Sequence, residues 1–318
     1  MKISDNILTK LAHPAKIVDL ALDWELISSF IEKKWEEIPD LSEFTQLNKL
    51  SLAGHEILEI AGLQASLTHL DLSYNFLRES KGLSVLPALT ELDLSFNELE
   101  EVTEIAGCTQ LSQLNLAHNF LKDLSPLSRL KNLQVLAISG NRRIKDLSFV
   151  EGMKSLSVFY AKQLSLMDWG SVNKLASLEA LYISPLSFES LTSFNSLPKL
   201  ETLHLSVNKV SEEGIMPYFP NLKELSIVKG KHLRRLRGIE QMKGLTHLHL
   251  AQNQLEAVPD LKGLDQLEVI NLRQNPLRSA DSLFELEKLK ELDIRDTGLE
   301  GAVVQALIKH FEGAEVLY

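Results

Sequence analysis

One leucine pattern recurs along most of the chain: leucine, two residues, leucine, one residue, leucine, two residues, a small or polar residue, one more, leucine. It reads LTHLDLSYNFL from Leu67, LTELDLSFNEL from Leu89 and LSQLNLAHNFL from Leu111. A unit of this length cannot bury its own apolar side chains, so consecutive units must stack into a solenoid. The first leucines of twelve units are Leu47, Leu67, Leu89, Leu111, Leu133, Leu156, Leu178, Leu200, Leu222, Leu245, Leu267 and Leu289.

Alternation inside the unit predicts a short strand whose leucines point into the solenoid and whose intervening residues face outward. Two further apolar positions, such as Leu83 and Leu86, precede each start by six and three residues. That spacing suits a short helical turn on the opposite side. The predicted fold class is an α/β solenoid, a curved right-handed superhelix. Its parallel β-sheet forms the concave face, and short 3-10 helices or turns form the convex face.

The ninth residue of the unit is the polar member of the predicted core. At a tight bend after the strand, an asparagine amide can pair buried backbone groups of its own and the adjacent unit. Asparagine fills this position at Asn75, Asn97, Asn119, Asn141, Asn208, Asn253 and Asn275. Other residues replace it at His55, Leu164, Leu186, Gly230 and Thr297.

These units resemble leucine-rich repeats of the 22-residue class, which includes bacterial internalins and the phosphatase-regulator type of eukaryotic repeat protein. The resemblance covers roughly residues 38–299 and recurs in register. It implies a non-catalytic binding module that grips other proteins with its concave sheet.

The domain prediction places twelve repeats at 47–299 and an N-terminal cap at 1–46, since a solenoid must seal its first and last units. The cap is predicted to be mostly helical, because Trp24 and Trp35 lie in an amphipathic run. A degenerate first repeat is the alternative for this segment. The residues that fit the strand template are Ile17, Leu20, Leu22 and Ile27.

A second cap is predicted at 300–318. A helix is expected from about Ala302 to Phe311, and Gly313 would end it. The last residues, 315–318, can form a final edge strand.

Charge and targeting signals narrow the function. The chain has 33 basic and 43 acidic residues, a net charge of −10, which disfavours nucleic-acid binding because that needs a basic stripe. No stretch is long and apolar enough to span a bilayer, and the N-terminus lacks the apolar core of a signal peptide. A single cysteine suits a reducing compartment. The cytoplasm is the predicted location, with a secreted effector left open.

Outward positions of the strands and the turns after them supply the predicted partner-binding residues, in two patches. Exposed aromatic residues in rows are typical contact anchors, although strands also favour aromatic residues for their own packing. The first patch comprises Tyr74, Phe96, His118, Asp71, Glu91 and Asp93. The second comprises Tyr160, Tyr182, His204, His247 and His249, and Arg273 completes the predicted contact residues.

Other chemistry finds little support in the sequence. His247 and His249 could ligate a metal, but His204 is two units away, roughly 9–10 Å, so no metal is predicted. Cys108 takes a position that leucine holds elsewhere and is predicted to be a core residue. The basic runs at 141–147 and 229–238 could dock an acidic peptide or phosphate, or could simply be solvated turns.

The sequence therefore predicts a monomeric scaffold that binds a protein partner on its concave sheet and can regulate an enzyme. It predicts no cofactor, no small-molecule substrate and no membrane partner. Two alternatives stay open. One is a bacterial effector that uses the same surface on a host protein, and the other is an enzyme whose site carries no recognisable motif.

Overall fold

The computed structural model describes residues 8, 11, 13–29, 31, 33–166, 168–185, 194, 197–206, 213–217 and 219–318. The predictions for Asn208 and Leu186 lie outside these residues. The chain divides into two compact units, Met1–Ser165 and Leu166–Tyr318, and each is described by itself.

The first unit contains a parallel sheet in which each strand pairs with the next along the chain. Equivalent leucines lie side by side, so that Leu70 pairs with Leu50 on one side and Leu92 on the other. The outward residues of each strand alternate with these leucines, as the repeat predicts. The strands are β1 (Asp19–Ala21), β2 (Lys49–Ser51), β3 (His69–Asp71), β4 (Glu91–Asp93), β5 (Gln113–Asn115), β6 (Val135–Ala137) and β7 (Val158–Ala161).

Short helices return the chain of the first unit from strand to strand. Their inward side chains, such as Leu83 and Leu127, are completely buried. The 3-10 helices are Pro14–Lys16, Leu83–Val85, Glu104–Gly107, Ser125–Arg129 and Ser148–Gly152, and one short α-helix, α1, spans Trp24–Ile27.

The second unit follows the same plan. Its main sheet is parallel, and a separate parallel pair joins β10 to β12. The strands are β8 (Ala180–Ile183), β9 (Thr202–Ser206), β10 (Glu213–Ile215), β11 (Glu224–Val228), β12 (Arg235–Arg237), β13 (His247–His249), β14 (Val269–Asn271), β15 (Glu291–Asp293) and β16 (Glu315–Leu317). The helices are the 3-10 segments Gly170–Lys174, Ile239–Gln241 and Asp281–Glu285, and the α-helix α2 (Gly301–His310).

Leucine side chains fill the interior of each unit, and the ninth-position asparagines supply its polar groups. Asn119 shows the arrangement: its Nδ2 donates to the carbonyl oxygens of Leu94 at 2.9 Å and Leu116 at 3.1 Å. Its Oδ1 accepts a hydrogen bond from the backbone N–H of Leu99 at 2.9 Å. The amide therefore pairs backbone groups that no water reaches.

His55 occupies the asparagine position of the first predicted repeat and makes equivalent bonds. Its Nδ1 accepts from the backbone N–H of Trp35 at 3.3 Å, and its Nε2 lies 2.7 Å from the carbonyl oxygen of Leu22. Burial lowers the pKa of His55, against the effect of the Leu22 carbonyl. A neutral imidazole thus replaces the amide.

The two terminal segments both contribute a strand. In the described part of 1–46, β1 pairs with β2, and only four residues form α-helix, in α1. This local structure differs from a mostly helical segment, because Leu20 and Leu22 carry the strand pattern and are buried. At the other end, α2 precedes β16, which pairs with β15. The division of the chain into caps and repeats stays a prediction.

Candidate protein-binding surface

Three exposed rings form a stacked row in the first unit. The ring centroids of Tyr74 and Phe96 lie 4.3 Å apart with planes inclined by 6°, and those of Phe96 and His118 lie 4.3 Å apart at 13°. Tyr74 remains 57% exposed and Phe96 40% exposed. An exposed apolar row of this kind is typical of a contact surface.

The backbone sets the row. Tyr74, Phe96 and His118 have φ of 55°, 54° and 56°, in the left-handed region that few non-glycine residues adopt. The backbone N–H of Tyr74 donates to Ser95 O, and that of Phe96 donates to Ala117 O, each at 2.9 Å. His118 makes the same bond, to Ser139 O at 2.7 Å, so the side chains at the eighth position of these three repeats leave the backbone at equivalent places.

Carboxylates lie on the sheet face of the same repeats. Asp93 accepts hydrogen bonds at Oδ1 from the backbone N–H of Ser95, at 2.8 Å, and at Oδ2 from Asn115 Nδ2, also at 2.8 Å. Burial raises the pKa of Asp71, against hydrogen bonds from Ser73, and the negative charge of Asp93 raises that pKa further. The sheet face of these repeats therefore carries negative charge from Asp71 and Asp93, and no cationic side chain is among the partners described for them.

A recess of about 450 Å³ follows this face along the first unit. Its charged lining consists mainly of carboxylates, with Lys49 as its one lysine. The imidazole of His69 lies 3.2 Å from Glu91 Oε1. Tyr160 lines the end of the recess together with Val135 and Ala137. The lining carboxylates are Asp19, Asp71, Glu91 and Asp93.

Four further predicted residues lie on strands of the second unit, on β8, β9 and β13. Tyr182 and His204 have ring centroids 5.7 Å apart, and His204 Nε2 lies 3.4 Å from Ser226 Oγ. The rings of His247 and His249 are 6.3 Å apart. Burial lowers the pKa of His249, against the negative charge of Glu224, and the neighbouring His247 lowers it further.

Arg273 and the arginines of the basic run at 229–238 have carboxylate partners. Arg273 Nε lies 3.4 Å from Asp296 Oδ2. Arg235 and Arg237 both reach Glu213 Oε1, at 3.3 Å and 4.0 Å. These ion pairs reduce the positive charge that an acidic ligand would find there.

Comparison with known proteins identifies the fold. The sequence family described as leucine-rich repeats in two copies matches residues 109–152. A crystal structure of the internalin InlF from Listeria monocytogenes has a TM-score of 0.76 at 20% identity, with 98% of this chain and 92% of that chain covered. A leucine-rich-repeat protein of Leptospira interrogans has a TM-score of 0.58 at 20% identity, with 100% and 99% covered. The fold is that of a leucine-rich-repeat protein.

A third similar structure shows such a fold with a ligand. The leucine-rich-repeat ectodomain of a plant receptor kinase from Arabidopsis thaliana, in complex with Casparian strip integrity factor 2, has a TM-score of 0.51 at 20% identity. The alignment covers 88% of this chain and 43% of that one. No curated protein sequence matches the chain. Leucine-rich-repeat folds are commonly non-catalytic interaction scaffolds, and the predictions of repeat type and fold class are confirmed.

Two exposed aromatic residues of the first unit were not among the contact residues predicted from the sequence. Phe76 and Phe120, at the tenth position of their units, are 45% and 49% exposed. The guanidinium carbon of Arg143 lies 5.7 Å from the ring centroid of Phe120. The recurrence of phenylalanine at one outward repeat position was the available signal.

Metal ligands and nucleophiles receive little support from the structure. The described residues contain no group of three or more histidine, cysteine, aspartate or glutamate side chains that could hold a metal ion. Cys108 is completely buried, and burial raises its pKa to about 11. Within the described ranges, no helix combines the length and apolar character that a bilayer crossing requires.

Proposed function

We propose that this protein is a non-catalytic scaffold that binds a protein partner on the sheet face of its first unit. The stacked row of Tyr74, Phe96 and His118 is the observation that carries the proposal. Rings held in register by the backbone lose little conformational freedom on binding, and aromatic residues dominate the energetic centres of interfaces. The acidic recess beside the row supplies the polar surroundings that such a centre needs.

Position and burial favour the first unit over the second for this role. The aromatic row has Phe76 and Phe120 beside it, so five exposed rings belong to three consecutive repeats. In the second unit, the ring pairs on the sheet are more widely spaced: the centroids of Tyr182 and His204 lie 5.7 Å apart, and those of His247 and His249 lie 6.3 Å apart. We therefore assign Tyr74, Phe96, His118, Asp71 and Asp93 to the centre of the interface. Tyr160 of the first unit stays a predicted contact residue, and so do Tyr182, His204, His249 and Arg273 of the second unit.

The test replaces two rings without disturbing the backbone. Glutamine holds the same repeat position with positive φ at Gln252 and Gln274, so Tyr74→Gln/Phe96→Gln keeps a side chain that tolerates this turn. The control is Val85→Gln/Phe284→Gln, which removes two apolar side chains that are 56% and 37% exposed and lie in 3-10 helices.

Each protein is immobilised and exposed to lysate of the source cells, and captured proteins are quantified by mass spectrometry. We expect a partner that wild type and control recover equally and that the ring variant recovers at least about tenfold less. Circular dichroism verifies that each variant is folded. Recovery of every partner at the wild-type level by the folded ring variant would contradict the proposal.

Three finer statements remain predictions. Regulation of a captured enzyme by the scaffold is tested by measuring that enzyme's activity with and without the scaffold. A bacterial effector role would instead yield a host protein as the captured partner. If the protein is a monomer, light scattering should show a single species of 35.7 kDa. If it is cytoplasmic, cell fractionation should recover it in the cytosol.

A further inference from the structure

The row of eighth-position side chains has a gap at Gly54. The backbone N–H of Gly54 donates to Ser73 O at 3.0 Å, which is the bond that Tyr74 makes to Ser95 at 2.9 Å. Gly54 therefore occupies the place next to Tyr74 in the row, with φ of 79°, but carries no side chain. The row of stacked rings therefore ends at Tyr74, because the next eighth-position residue is a glycine.

The space above Gly54, referred to below as the slot, is only lightly contacted. A Cβ placed on Gly54 would meet only Trp24 Cβ, at 3.4 Å. At the opposite end of the row, a Cβ on Gly140 would lie 2.7 Å from Nδ1 of His118, because that ring covers the glycine. The two glycines thus differ: the His118 ring lies over Gly140, whereas only Trp24 Cβ approaches Gly54.

Tyr74 offers one ring face to this space. Its ring stacks on Phe96, and among the described residues no other ring or cation packs against it. The ring of Trp24 packs edge to face with His55, with centroids 6.1 Å apart, and Lys34 Nζ lies 5.6 Å from the Trp24 centroid. A planar group placed above Gly54 would therefore stack on Tyr74 and extend the row.

Carboxylates outnumber lysines beside the slot, where Lys49 and the Trp24-bound Lys34 are the positive charges, and this balance favours a cation. Asp71 lies in the same repeat as Tyr74, and Asp19 and Asp93 lie on nearby strands of the recess, where Lys49 is the one lysine. Glu56 is exposed two residues beyond Gly54. Arginine has a guanidinium that is planar and permanently charged, so it both stacks on an aromatic face and pairs with carboxylates.

We propose that the slot above Gly54 binds the guanidinium of an arginine in a basic segment of the protein partner. The guanidinium stacks on the free face of Tyr74, and neighbouring basic side chains of the segment pair with the carboxylates of the recess. This inference rests on the proposed function and names the chemistry of the partner. It makes the tyrosine end of the row the position that selects the ligand.

The probes are three eight-residue peptides that alternate glycine with arginine, lysine or citrulline. Citrulline keeps the planar shape of arginine and lacks its charge, whereas lysine keeps the charge and lacks the plane. Isothermal titration calorimetry with the full chain should show the arginine peptide binding about tenfold more tightly than the citrulline peptide and about threefold more tightly than the lysine peptide. Equal affinity for the arginine and citrulline peptides, or for the arginine and lysine peptides, would overturn the proposal.

The decisive variant is Gly54→Tyr, which fills the slot with a ring and leaves the net charge unchanged. The turn accepts tyrosine, since Tyr74 adopts φ of 55° at the equivalent position. The control, Gln252→Tyr, adds a ring at the same repeat position of the second unit, where φ is 60°. We expect Gly54→Tyr to lower the affinity for the arginine peptide about tenfold and to remove the preference for arginine over lysine. Gln252→Tyr should change neither the affinity nor the preference.

A second variant, Tyr74→Gln, tests the same stacking contact if Gly54→Tyr does not fold. Tyr74→Gln removes the stacking face, and it should lower the arginine affinity by a similar factor. Arginine selectivity that survives in folded Gly54→Tyr or Tyr74→Gln would refute the slot. Partner capture that is lost in Tyr74→Gln/Phe96→Gln but unchanged in Gly54→Tyr would refute the slot and leave the proposed function standing.

Discussion

The side-chain amide of Asn97 donates to the carbonyl oxygen of Leu72, in the preceding repeat, at 2.9 Å. The same Nδ2 donates to Leu94 O at 3.2 Å, and Oδ1 accepts the backbone N–H of Leu77 at 3.0 Å. Asn97 is only 6% exposed. One side chain therefore joins two repeats through backbone groups that have no access to water.

Replacing Asn97 by alanine should lower the free energy of unfolding by about 2–4 kcal/mol. The loss follows because several buried backbone groups become unpaired, each at about 1–3 kcal/mol, with partial relaxation. Urea unfolding followed by circular dichroism measures it. Asn132→Ala is the control, since its exposed side chain makes one bond to Thr109 O at 3.2 Å. A similar loss in both variants would contradict a special role for Asn97.

The repeat period predicted the core of this molecule well. Leu70, Leu92 and Leu114 lie at equivalent register in adjacent strands, and each is at most 3% exposed. The period suffices there because a side chain that must be buried has one face available to it. The role of the ninth-position amide of Asn119 was equally predictable from the sequence, since a buried polar side chain after a strand has few partners other than the backbone.

The details of the aromatic row were beyond the sequence. Tyr74, Phe96 and His118 were predicted as exposed anchors, but their face-to-face stacking at 4.3 Å depends on the left-handed turn that carries them. Leucine spacing does not specify that turn. Gly54 and Gly140 illustrate the limit: both are glycine at the same repeat position, yet only the structure shows that the His118 ring covers Gly140 and that Trp24 Cβ alone approaches Gly54.

The buried imidazole of His55 should make stability depend on pH. Burial holds the pKa of His55 below its usual value of 6.5, against the Leu22 carbonyl, so the unfolded chain binds more protons below about pH 7. The free energy of unfolding should therefore fall as the pH falls from 7 toward 5, by at most about 1.4 kcal/mol per pH unit from this residue.

His55→Asn provides the measurement, because asparagine is the residue at this position in neighbouring repeats such as that of Asn75. Urea unfolding at pH 7, 6 and 5 should show a shallower pH dependence than wild type. His232→Gln removes an exposed histidine and controls for the loss of one titrating group. If both variants changed the pH dependence of the free energy of unfolding equally, burial of His55 would have no effect on that pH dependence.

Cys108 should be chemically silent in the folded protein. Burial raises its pKa to about 11, and its Sγ donates to Leu83 O at 3.4 Å, so thiolate is scarce and shielded. We expect negligible reaction with an aromatic disulfide reagent at pH 8 and complete reaction in urea. Cys108→Ala/Thr109→Cys places the single thiol at an exposed neighbouring position and should react at once. Fast reaction of native wild type would contradict the burial of Cys108.

The ring stack should also stabilise the fold, and unequally along the row. Phe96 has a ring on both faces, whereas Tyr74 has one on a single face. Each aromatic pair contributes about 0.5–1.5 kcal/mol beyond its buried area, so Phe96→Gln should lower the free energy of unfolding by about 1–3 kcal/mol and Tyr74→Gln by about half as much. Thermal and urea unfolding of the two variants measure this difference. Equal losses would mean that the rings are not stacked in solution, and the slot above Gly54 would then lack the fixed tyrosine face on which arginine selection depends.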